Sequence, residues 1–308
     1  MESKKIVVVG STNMDMVIKT GHIPVPGETV LSGSFFMNPG GKGANQAVAV
    51  ARLGGEVTFI SKVGNDVFGK QSVQLFDEEG INTFYLLSDD ALPSGVALIT
   101  VDDSGENSIV VASGANANLQ PADVSEALAG IQDIGIILMQ LEIPMDTVRY
   151  VAEYAAGQKA KLILNPAPMQ DLSPELLCHI DILTPNKTEA EMLCGIKVKD
   201  EEDAKRAAIQ IHEMGVKAVV ITLGPKGAVI CDDGSITSVA STKVKAVDTT
   251  AAGDVFNGAL SVALSEGKAL TEAVQFACNV AAISVTRMGA QTSIPYRNEL
   301  IAGVDLKN

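Results

Sequence analysis

Short apolar runs alternate with helical periods along most of the chain, and this alternation constrains the fold more than any other feature. The first run, IVVV within residues 4–10, is apolar without interruption, as in strands that are buried on both faces of a parallel sheet. Similar runs recur at 57–64, 134–140, 161–166, 181–186 and 218–224. Helical periods lie between them at 44–53, 68–79, 121–131, 145–156, 189–194 and 201–214. The pattern predicts an α/β fold with a mostly parallel sheet and helices on both faces.

Two segments break this alternation. Residues 14–38 and 94–114 alternate apolar and polar side chains with turn residues between them, which predicts antiparallel β-ribbons. Residues 252–288 indicate two long helices separated near Gly267. Because no low-complexity linker or fixed-period repeat is present, we expect residues 1–308 to form one domain, with a β-lid built from about 14–38 and 94–114.

The net charge of the chain limits the kinds of partner that it can bind. The 308 residues are 46% hydrophobic and carry a formal net charge of −14, which would repel nucleic-acid backbones and anionic lipid surfaces. No apolar run is long enough to span a bilayer, and the apolar run among the first residues is too short for a signal sequence. The four cysteines show no C-x-x-C spacing. These features favour a cytoplasmic protein with reduced thiols.

The stretch NPGGKGANQA, residues 38–47, resembles a phosphate-binding loop at first sight. A P-loop requires a glycine five positions before Gly41 and a Ser or Thr after Lys42, but the sequence has Phe36 and Gly43 there. The dinucleotide fingerprint also fails, because it needs a third glycine where Gln46 stands. Backbone N–H groups, one cation and two amides remain, a set that suits a polyhydroxylated ligand as well as a phosphate. A glycine-rich helix start with a solvated lysine is the structural alternative.

The stretch GSTNMD places Asn13 and Asp15 just after the first strand. A carboxylate and an amide in this position could bind vicinal hydroxyl groups, since both accept hydrogen bonds and the amide also donates. Asn and Asp are also ordinary turn residues, so the stretch alone does not decide between the two interpretations.

The stretch VDTTAAGDVFNGAL, residues 247–260, carries the strongest signal. We expect a strand to end at Val247 and a helix to begin among Ala251, Ala252 and Gly253, whose small side chains leave backbone N–H groups open to an anion. Asp254 lies in the first turn of this helix, where a bound anion would repel its carboxylate. A carboxylate in this unfavourable position is expected mainly where it takes part in chemistry. Asp254 could instead only complement the helix dipole, and Asp248 could cap a helix or bind a cation.

Two further stretches follow predicted strands. In TPNKTEAEML, Asn186 and Glu189 could line a site, and they also match a helix-capping arrangement. In ITLGPKGA, a loop of Thr222, Gly224 and Gly227 could pass close to a nucleotide or form a plain turn.

Taken in order, these stretches resemble the sugar kinases of the phosphofructokinase-B family. The resemblance also includes MQLE, which ends at Glu142, together with NPAP and VTRMGAQTS, and it covers nearly the whole chain. Eight matches in one register are improbable as unrelated coincidences. The resemblance implies a three-layer α/β fold, a β-sheet lid that pairs in a homodimer, and ATP-dependent phosphorylation of D-ribose at O5 to give D-ribose 5-phosphate.

The resemblance also implies residue roles. The sugar would contact Asn13, Asp15, Gly41, Lys42, Asn45, Glu142 and Asp254. ATP would contact Asn186, Thr222, Gly224, Lys226, Gly227, Ala252, Gly253 and Asn279. Magnesium would be organised through water by Glu189 with Asn186, and potassium would bind, largely through backbone carbonyls, at Asp248, Thr250, Ser284, Arg287, Gly289 and Ser293. Asp254 would be the general base and residues 251–253 the anion hole.

Two positions qualify the match. The family usually has glycine where this chain has Ala251, so the backbone there must either avoid a positive φ or bear strain. Near the adenine, Cys278 and Asn279 are both candidates for the base contact. Alternative functions are a related kinase for deoxyribose, a nucleoside or another small sugar, or a sugar- or nucleotide-binding regulator without catalysis. A nicotinamide-dependent oxidoreductase would share the fold class but lacks its fingerprint.

Overall fold

Strands and helices alternate through the residues that the computed structural model describes, which are 4–31 and 33–301. In chain order the strands are β1 (Lys5–Val9), β2 (Asn13–Lys19), β3 (Ser34–Gly40), β4 (Val57–Gly64), β5 (Leu86–Asp89), β6 (Gly95–Val101), β7 (Asn107–Ala112), β8 (Ile134–Met139), β9 (Lys161–Leu164), β10 (Ile182–Leu183), β11 (Ala218–Thr222), β12 (Ala228–Asp232) and β13 (Ser235–Val239). The helices are α1 (Lys42–Arg52), α2 (Val67–Glu78), α3 (Pro121–Gly130), α4 (Met145–Ala156), α5 (Pro174–Leu177), α6 (Lys187–Cys194), α7 (Glu201–Glu213), α8 (Ala252–Ser265), α9 (Leu270–Ser284) and α10 (Arg297–Ile301).

The main sheet has nine strands in the order β13-β12-β11-β10-β9-β8-β1-β4-β5. The strands from β11 to β5 run parallel, and only the hairpin of β12 and β13 at one edge runs antiparallel. The predicted α/β class with a mostly parallel sheet is therefore confirmed. The edge hairpin and the short strand β5 were not expected from the sequence.

Helices cover both faces of the main sheet and form two buried apolar layers. Alternate residues of β1 point to opposite layers: Val7 and Val9 pack with helices α3 to α7, whereas Ile6 and Val8 pack with α1, α2, α8 and α9. Each layer removes apolar surface from water on one face of the sheet. This two-sided burial explains why the strand sequences are apolar without interruption.

A second sheet lies beside the main one, in the order β3-β2-β6-β7. The two predicted ribbons are present as the antiparallel pairs β2–β3 and β6–β7, and parallel pairing of β2 with β6 joins them into a single sheet. Strand β2 begins four residues after β1 ends, so the second sheet starts at the carboxyl edge of the main sheet.

Three local expectations were wrong. Residues 240–251 contain no strand, because the N–H groups of Val247 and Asp248 both donate to the carbonyl oxygen of Val285, at 2.7 and 3.2 Å, and not to a neighbouring strand. Helix α9 ends at Ser284, before the expected residue 288. Strand β10 has two residues, since the chain turns at Asn186 to start α6. Throughout the described ranges, no helix has the length and apolar character to cross a membrane.

Candidate active site

The glycines of the 38–47 stretch allow close backbone packing. Gly41 has a φ of 91°, which favours glycine, and it precedes the first residue of α1. A Cβ at Gly43 would lie 2.6 Å from the backbone of Gly10 and Ser11, and one at Gly40 would overlap the carboxylate of Asp15. The glycines therefore bring the start of α1 against the end of β1 and the start of β2, where the predicted sugar residues lie.

Lys42 is the first residue of α1, and its side chain lies among four carboxylates. Burial would lower its pKa, but the nearby carboxylates outweigh this effect and raise the pKa above its usual value; they belong to Asp254, Glu142, Glu189 and Asp15. The position of Glu142 is fixed by two donors, the Lys42 N–H at 3.1 Å and the Ser11 hydroxyl at 2.5 Å. The raised pKa favours the charged form of Lys42, which offsets part of the negative charge of these four carboxylates.

Asn13 and Asp15 lie on the first half of β2, not in a loop. Burial, and then the negative charges of Glu142 and Asp254, raise the pKa of Asp15 to about 6, against a smaller opposing effect of Lys42. Asn13 lines a cavity of about 450 Å³ between the second sheet and the loop after β8, together with Glu142. The polar side chains here can accept hydrogen bonds from hydroxyl groups.

Asp254 lies in the first turn of α8 and is 5% exposed. Its Oδ2 accepts from Asn45 Nδ2 at 2.9 Å, and its Oδ1 accepts from Gln46 Nε2 at 3.0 Å. Burial raises the pKa of Asp254, while Lys42 and the two amide donors oppose the rise. A buried carboxylate with a raised pKa is better able to take up a proton near neutral pH.

The residues before Asp254 leave the helix N-terminus open. Ala251 adopts the left-handed conformation, with φ 59° and ψ 9°, so this position bears the strain that the replacement of glycine implied. A Cβ at Gly253 would meet no atom within 4 Å, which leaves space for a ligand beside its backbone. The Ala252 N–H already donates to the Thr249 carbonyl at 3.2 Å. Of the two predicted donors, Gly253 is thus the more open.

A smaller cavity of about 180 Å³ brings seven of the predicted residues together. They are Lys42, Asn186, Glu189, Thr222, Ala252, Gly253 and Asp254. Asn186 and Glu189 form a complete capping box at the start of α6: Asn186 Oδ1 accepts from the Glu189 N–H at 2.9 Å, and Glu189 Oε2 accepts from the Asn186 N–H at 2.8 Å. Burial raises the pKa of Glu189. The capping interpretation is confirmed, and the same pair also faces the cavity.

The remaining nucleotide-side residues lie outside this cavity. Gly224 and Lys226 are exposed on a turn after β11, and Gly227 has a φ of 94° and packs against the chain at Val239. Asn279 is exposed on α9, where its Oδ1 accepts from Thr242 and Gln275 at 3.1 Å each. Cys278 is buried, and burial raises its pKa to about 11. Of the two adenine candidates, only Asn279 reaches the surface.

The predicted monovalent-cation residues come from the segment before α8 and from the end of α9 with the segment after it, and these two regions are in contact. Asp248 Oδ1 accepts from the N–H and hydroxyl of Thr250, at 2.9 and 2.7 Å, and Asp248 Oδ2 accepts from the Gly289 N–H at 2.8 Å. These donors lower the pKa of Asp248 against the effect of its burial. Ser284 and Ser293, on either side of Gly289 in the sequence, are buried. The guanidinium group of Arg287 pairs with the Glu299 carboxylate at 2.6 Å. The Asp248 carboxylate therefore ties the two regions together.

Sequence reasoning missed several buried polar residues behind the site. Gln46, Gln140, Asn165, Thr184 and Asn257 all lie in the stretches quoted above, but the sequence patterns predict no role for them. All five are at most 6% exposed. A usable signal existed for three of them, because Gln140, Asn165 and Thr184 each directly follow a parallel strand, where open α/β sheets bind ligands.

Comparisons with known proteins identify the family of the chain. A profile of the pfkB family carbohydrate kinases matches residues 3–297. The chain is 47% identical over 298 residues to a ribokinase from Haemophilus influenzae, covering 97% of each chain. It is 35% identical over 291 residues to a deoxyribokinase from Salmonella typhi, covering 94% of this chain and 95% of that one. A solved structure of an Arabidopsis thaliana ribokinase complexed with ribose and ATP is 34% identical, with a TM-score of 0.90 and 98% coverage of both chains. The chain therefore belongs to the pfkB family of carbohydrate kinases.

Proposed function

We propose that the protein transfers the γ-phosphoryl group of ATP to O5 of D-ribose, giving D-ribose 5-phosphate and ADP. The observation that carries this proposal is Asp254, a buried carboxylate with a raised pKa beside an open helix N-terminus. The relatives named ribokinase, one of them in complex with ribose and ATP, support the choice of substrates. The four unpaired cysteines suit the reducing cytoplasm, where we expect the reaction to take place.

In this reaction the sugar hydroxyl is a weak nucleophile until its proton is removed. Asp254 accepts the O5 proton as O5 attacks the γ-phosphorus, and such base assistance contributes roughly 10²–10⁴-fold to the rate. The other sugar hydroxyls bind the polar side chains around Lys42, namely Asn13, Asp15, Asn45 and Glu142, with the backbone of Gly41 beside them. Each of these groups holds the sugar so that O5 faces Asp254.

The phosphate side depends on donors and positive charge. The open Gly253 N–H faces the transferred phosphoryl group, and Lys42 lies at the boundary between the two substrates. The adenosine part of ATP runs from Thr222 at the end of β11 along the turn that contains Gly224, Lys226 and Gly227 toward Asn279, with Asn186 and Ala252 nearer the phosphates.

Magnesium fits the Glu189 position. Magnesium is commonly held by one or two carboxylates and the substrate phosphates, and it keeps several waters. Glu189 Oε2 is engaged by the Asn186 N–H, but within the described ranges no hydrogen bond reaches Oε1, which can hold a metal-bound water. Glu189 with Asn186 would therefore hold the hydrated ion, which supplies positive charge to the phosphates when bound.

Potassium fits the two regions tied by Asp248. Because N–H and O–H donors engage both oxygens of the Asp248 carboxylate, the cation would use mainly carbonyl oxygens. The carbonyls would come from the segment of Thr250, from Ser284 at the end of α9, and from the segment after α9 that contains Arg287, Gly289 and Ser293. An ion there would hold the segment before α8 in place and so support the position of Gly253 and Asp254.

We also propose that the second sheet is a lid and that its outer face pairs two copies of the chain. Strand register places five exposed apolar side chains on the face opposite Asp15: Ile18, Phe35, Met37, Leu98 and Val110, each 46–65% exposed. A contiguous apolar face of this kind usually marks an interaction surface. Light scattering should give the mass of a dimer, and Leu98→Asp with Val110→Asp should give a monomer; a wild-type monomer would contradict the proposal.

One assay tests substrate, reaction and ions together. ADP release is measured with D-ribose, 2-deoxyribose, a nucleoside and no acceptor, each in potassium and then in sodium buffer. We expect the highest kcat/KM with D-ribose and a loss of rate when sodium replaces potassium. A preference for 2-deoxyribose would favour the second candidate, a deoxyribokinase like the Salmonella relative. Ribose binding without ADP release would instead indicate a non-catalytic regulator.

A further inference from the structure

A row of polar side chains crosses the main sheet behind Asp254. Gln140, Asn165 and Thr184 each stand one residue beyond the carboxyl end of a parallel strand, β8, β9 and β10 respectively. The strand register aligns the last residues of these strands, so the three polar residues fall side by side. Gly10 holds the same position after β1, next to Gln140. The polar residues of the row are at most 6% exposed.

Gln46 of α1 connects this row to Asp254. Gln140 Nε2 donates to Gln46 Oε1 at 2.6 Å, and Gln46 Nε2 donates both to Asp254 Oδ1 at 3.0 Å and to Asn165 Oδ1 at 3.2 Å. The carbonyl oxygen and both N–H groups of the Gln46 amide are therefore engaged. Rotating this amide by half a turn would set its oxygen against two other oxygens and its nitrogen against the Gln140 nitrogen.

We propose that Gln140 is a positioning residue for Asp254: by donating to Gln46 Oε1, it holds an N–H group of Gln46, and not its carbonyl oxygen, against Asp254 Oδ1. The inference rests on the proposed function, in which Asp254 is the base. Gln140 touches neither the reacting atoms nor Asp254 itself, so its effect reaches the carboxylate only through the orientation of Gln46.

Two features of Gln140 support a role for its N–H group. Its Oε1 is buried and has no hydrogen-bond partner among the described residues. A buried acceptor without a hydrogen-bond partner disfavours folding. Stability alone therefore does not explain an amide at position 140. In addition, a Cβ at Gly10 would overlap Gln140 Oε1, so the neighbouring strand end leaves room for this side chain.

The charges around Asp254 set the direction of the expected effect. Asn45 donates to Oδ2, Lys42 is attractive, and the other carboxylates that face the group are repulsive: Glu142, Glu189 and Asp15. Hydrogen bonds to an ionised carboxylate lower its pKa. Loss of the Gln46 donor would therefore raise the pKa of Asp254, and the acid side of the rate profile would move to higher pH.

The test measures kcat as a function of pH for the wild-type enzyme and for the Gln140→Glu and Gln140→Met variants. An ionised glutamate at 140 repels Gln46 Oε1 and favours the rotated amide, and its charge also raises the pKa of Asp254 directly. Methionine removes the donor and adds no charge, so Gln140→Met isolates the positioning effect. We expect Gln140→Glu to move the acid limb up by about one pH unit and to lower kcat at that limb about tenfold, with a smaller shift for Gln140→Met. Thr20→Val is the control, because Thr20 is also buried, its hydroxyl makes no hydrogen bond in the described ranges, and it lies outside the proposed site.

The wild-type assay separates the two levels of the proposal. If the wild-type enzyme does not phosphorylate ribose, the proposed function fails before Gln140 is tested. If it does, and the Gln140 variants that fold keep the wild-type acid limb, the positioning role is overturned. A shift in Thr20→Val equal to that in Gln140→Met would also overturn it, since loss of buried polarity in general would then explain the result. If Gln140→Glu does not fold, the pH profile of Gln140→Met alone decides whether the positioning role holds.

Discussion

Replacing Asp254 with asparagine removes the proposed base with almost no change in volume. In the wild type each carboxylate oxygen accepts one amide donor, from Asn45 and from Gln46. Asparagine offers one oxygen and one NH₂ group, so one of the two donors must face another donor at about the present distance of 3 Å. The variant therefore loses the proton acceptor and one hydrogen bond of the site.

The two losses act on different quantities. Loss of a general base lowers kcat by roughly 10²–10⁴-fold, equivalent to about 2.7–5.5 kcal/mol in the activation free energy. For folding, the donor left without an acceptor costs about 1–3 kcal/mol. Removing a buried charge whose pKa is raised acts in the opposite direction. We therefore expect Asp254→Asn to have a near-normal free energy of unfolding together with a large loss of turnover.

A coupled ADP assay at saturating ribose and ATP gives kcat, and calorimetry gives the Kd for ribose. We expect Asp254→Asn to reduce kcat at least 100-fold while ribose still binds. Asp15→Asn is the matched control, since it also replaces a carboxylate of the site that is partly removed from solvent; it should raise KM for ribose more than it lowers kcat. A kcat of Asp254→Asn within tenfold of the wild-type value would refute the assignment of Asp254 as the base.

Three further substitutions test the local geometry. Ala251→Gly should raise the free energy of unfolding by about 0.5–1 kcal/mol in urea titrations, because relief of the left-handed strain of about 1–2 kcal/mol exceeds the entropy that glycine adds to the unfolded chain; a loss of stability would contradict the strain. Gly43→Ala should lower the free energy of unfolding by about 1–3 kcal/mol and raise KM for ribose, because the new Cβ would lie 2.6 Å from the backbone of Gly10 and Ser11, just after β1. Asp15→Asn should raise stability at pH 7 by up to about 3 kcal/mol, since the pKa of Asp15 rises from 3.8 to about 6 on folding. This gain should grow as pH increases from 4 to about 6 and vanish at lower pH; a gain that is independent of pH would count against a charge effect.

The sequence predicted the architecture well because burial on two faces leaves a strong pattern. Strand β1 has no polar residue between Ile6 and Val9, since alternate side chains enter two different apolar layers. The capping box of Asn186 and Glu189 was recognisable for a similar reason: its residues are neighbours in the chain, and local spacing determines the contact.

The errors arose where non-local contacts decide the structure. The segment before α8 has the composition of a strand, but its N–H groups donate to the end of α9, far along the chain. Gln46 lies on α1, and Gln140 and Asn165 directly follow β8 and β9, so the three residues meet only when the sheet and α1 pack together. No spacing in the sequence encodes this meeting, although the position of polar residues directly after strands indicates where to look.

The distribution of polar groups explains how one site can hold two different substrates. A sugar is neutral and offers many donors, so it suits the carboxylates of Asp15, Glu142 and Asp254, whereas a triphosphate is anionic and would be repelled by them. Asp254 lies in the same helical turn as the open Gly253 backbone and within the electrostatic reach of Lys42, so we expect it to lie at the boundary between the two substrates. In the proposed reaction, a base deeper on the sugar side would be too far from the transferred phosphoryl group. A base placed further toward the phosphates would lose the amide donors of α1, so we propose that the first turn of α8 meets both demands.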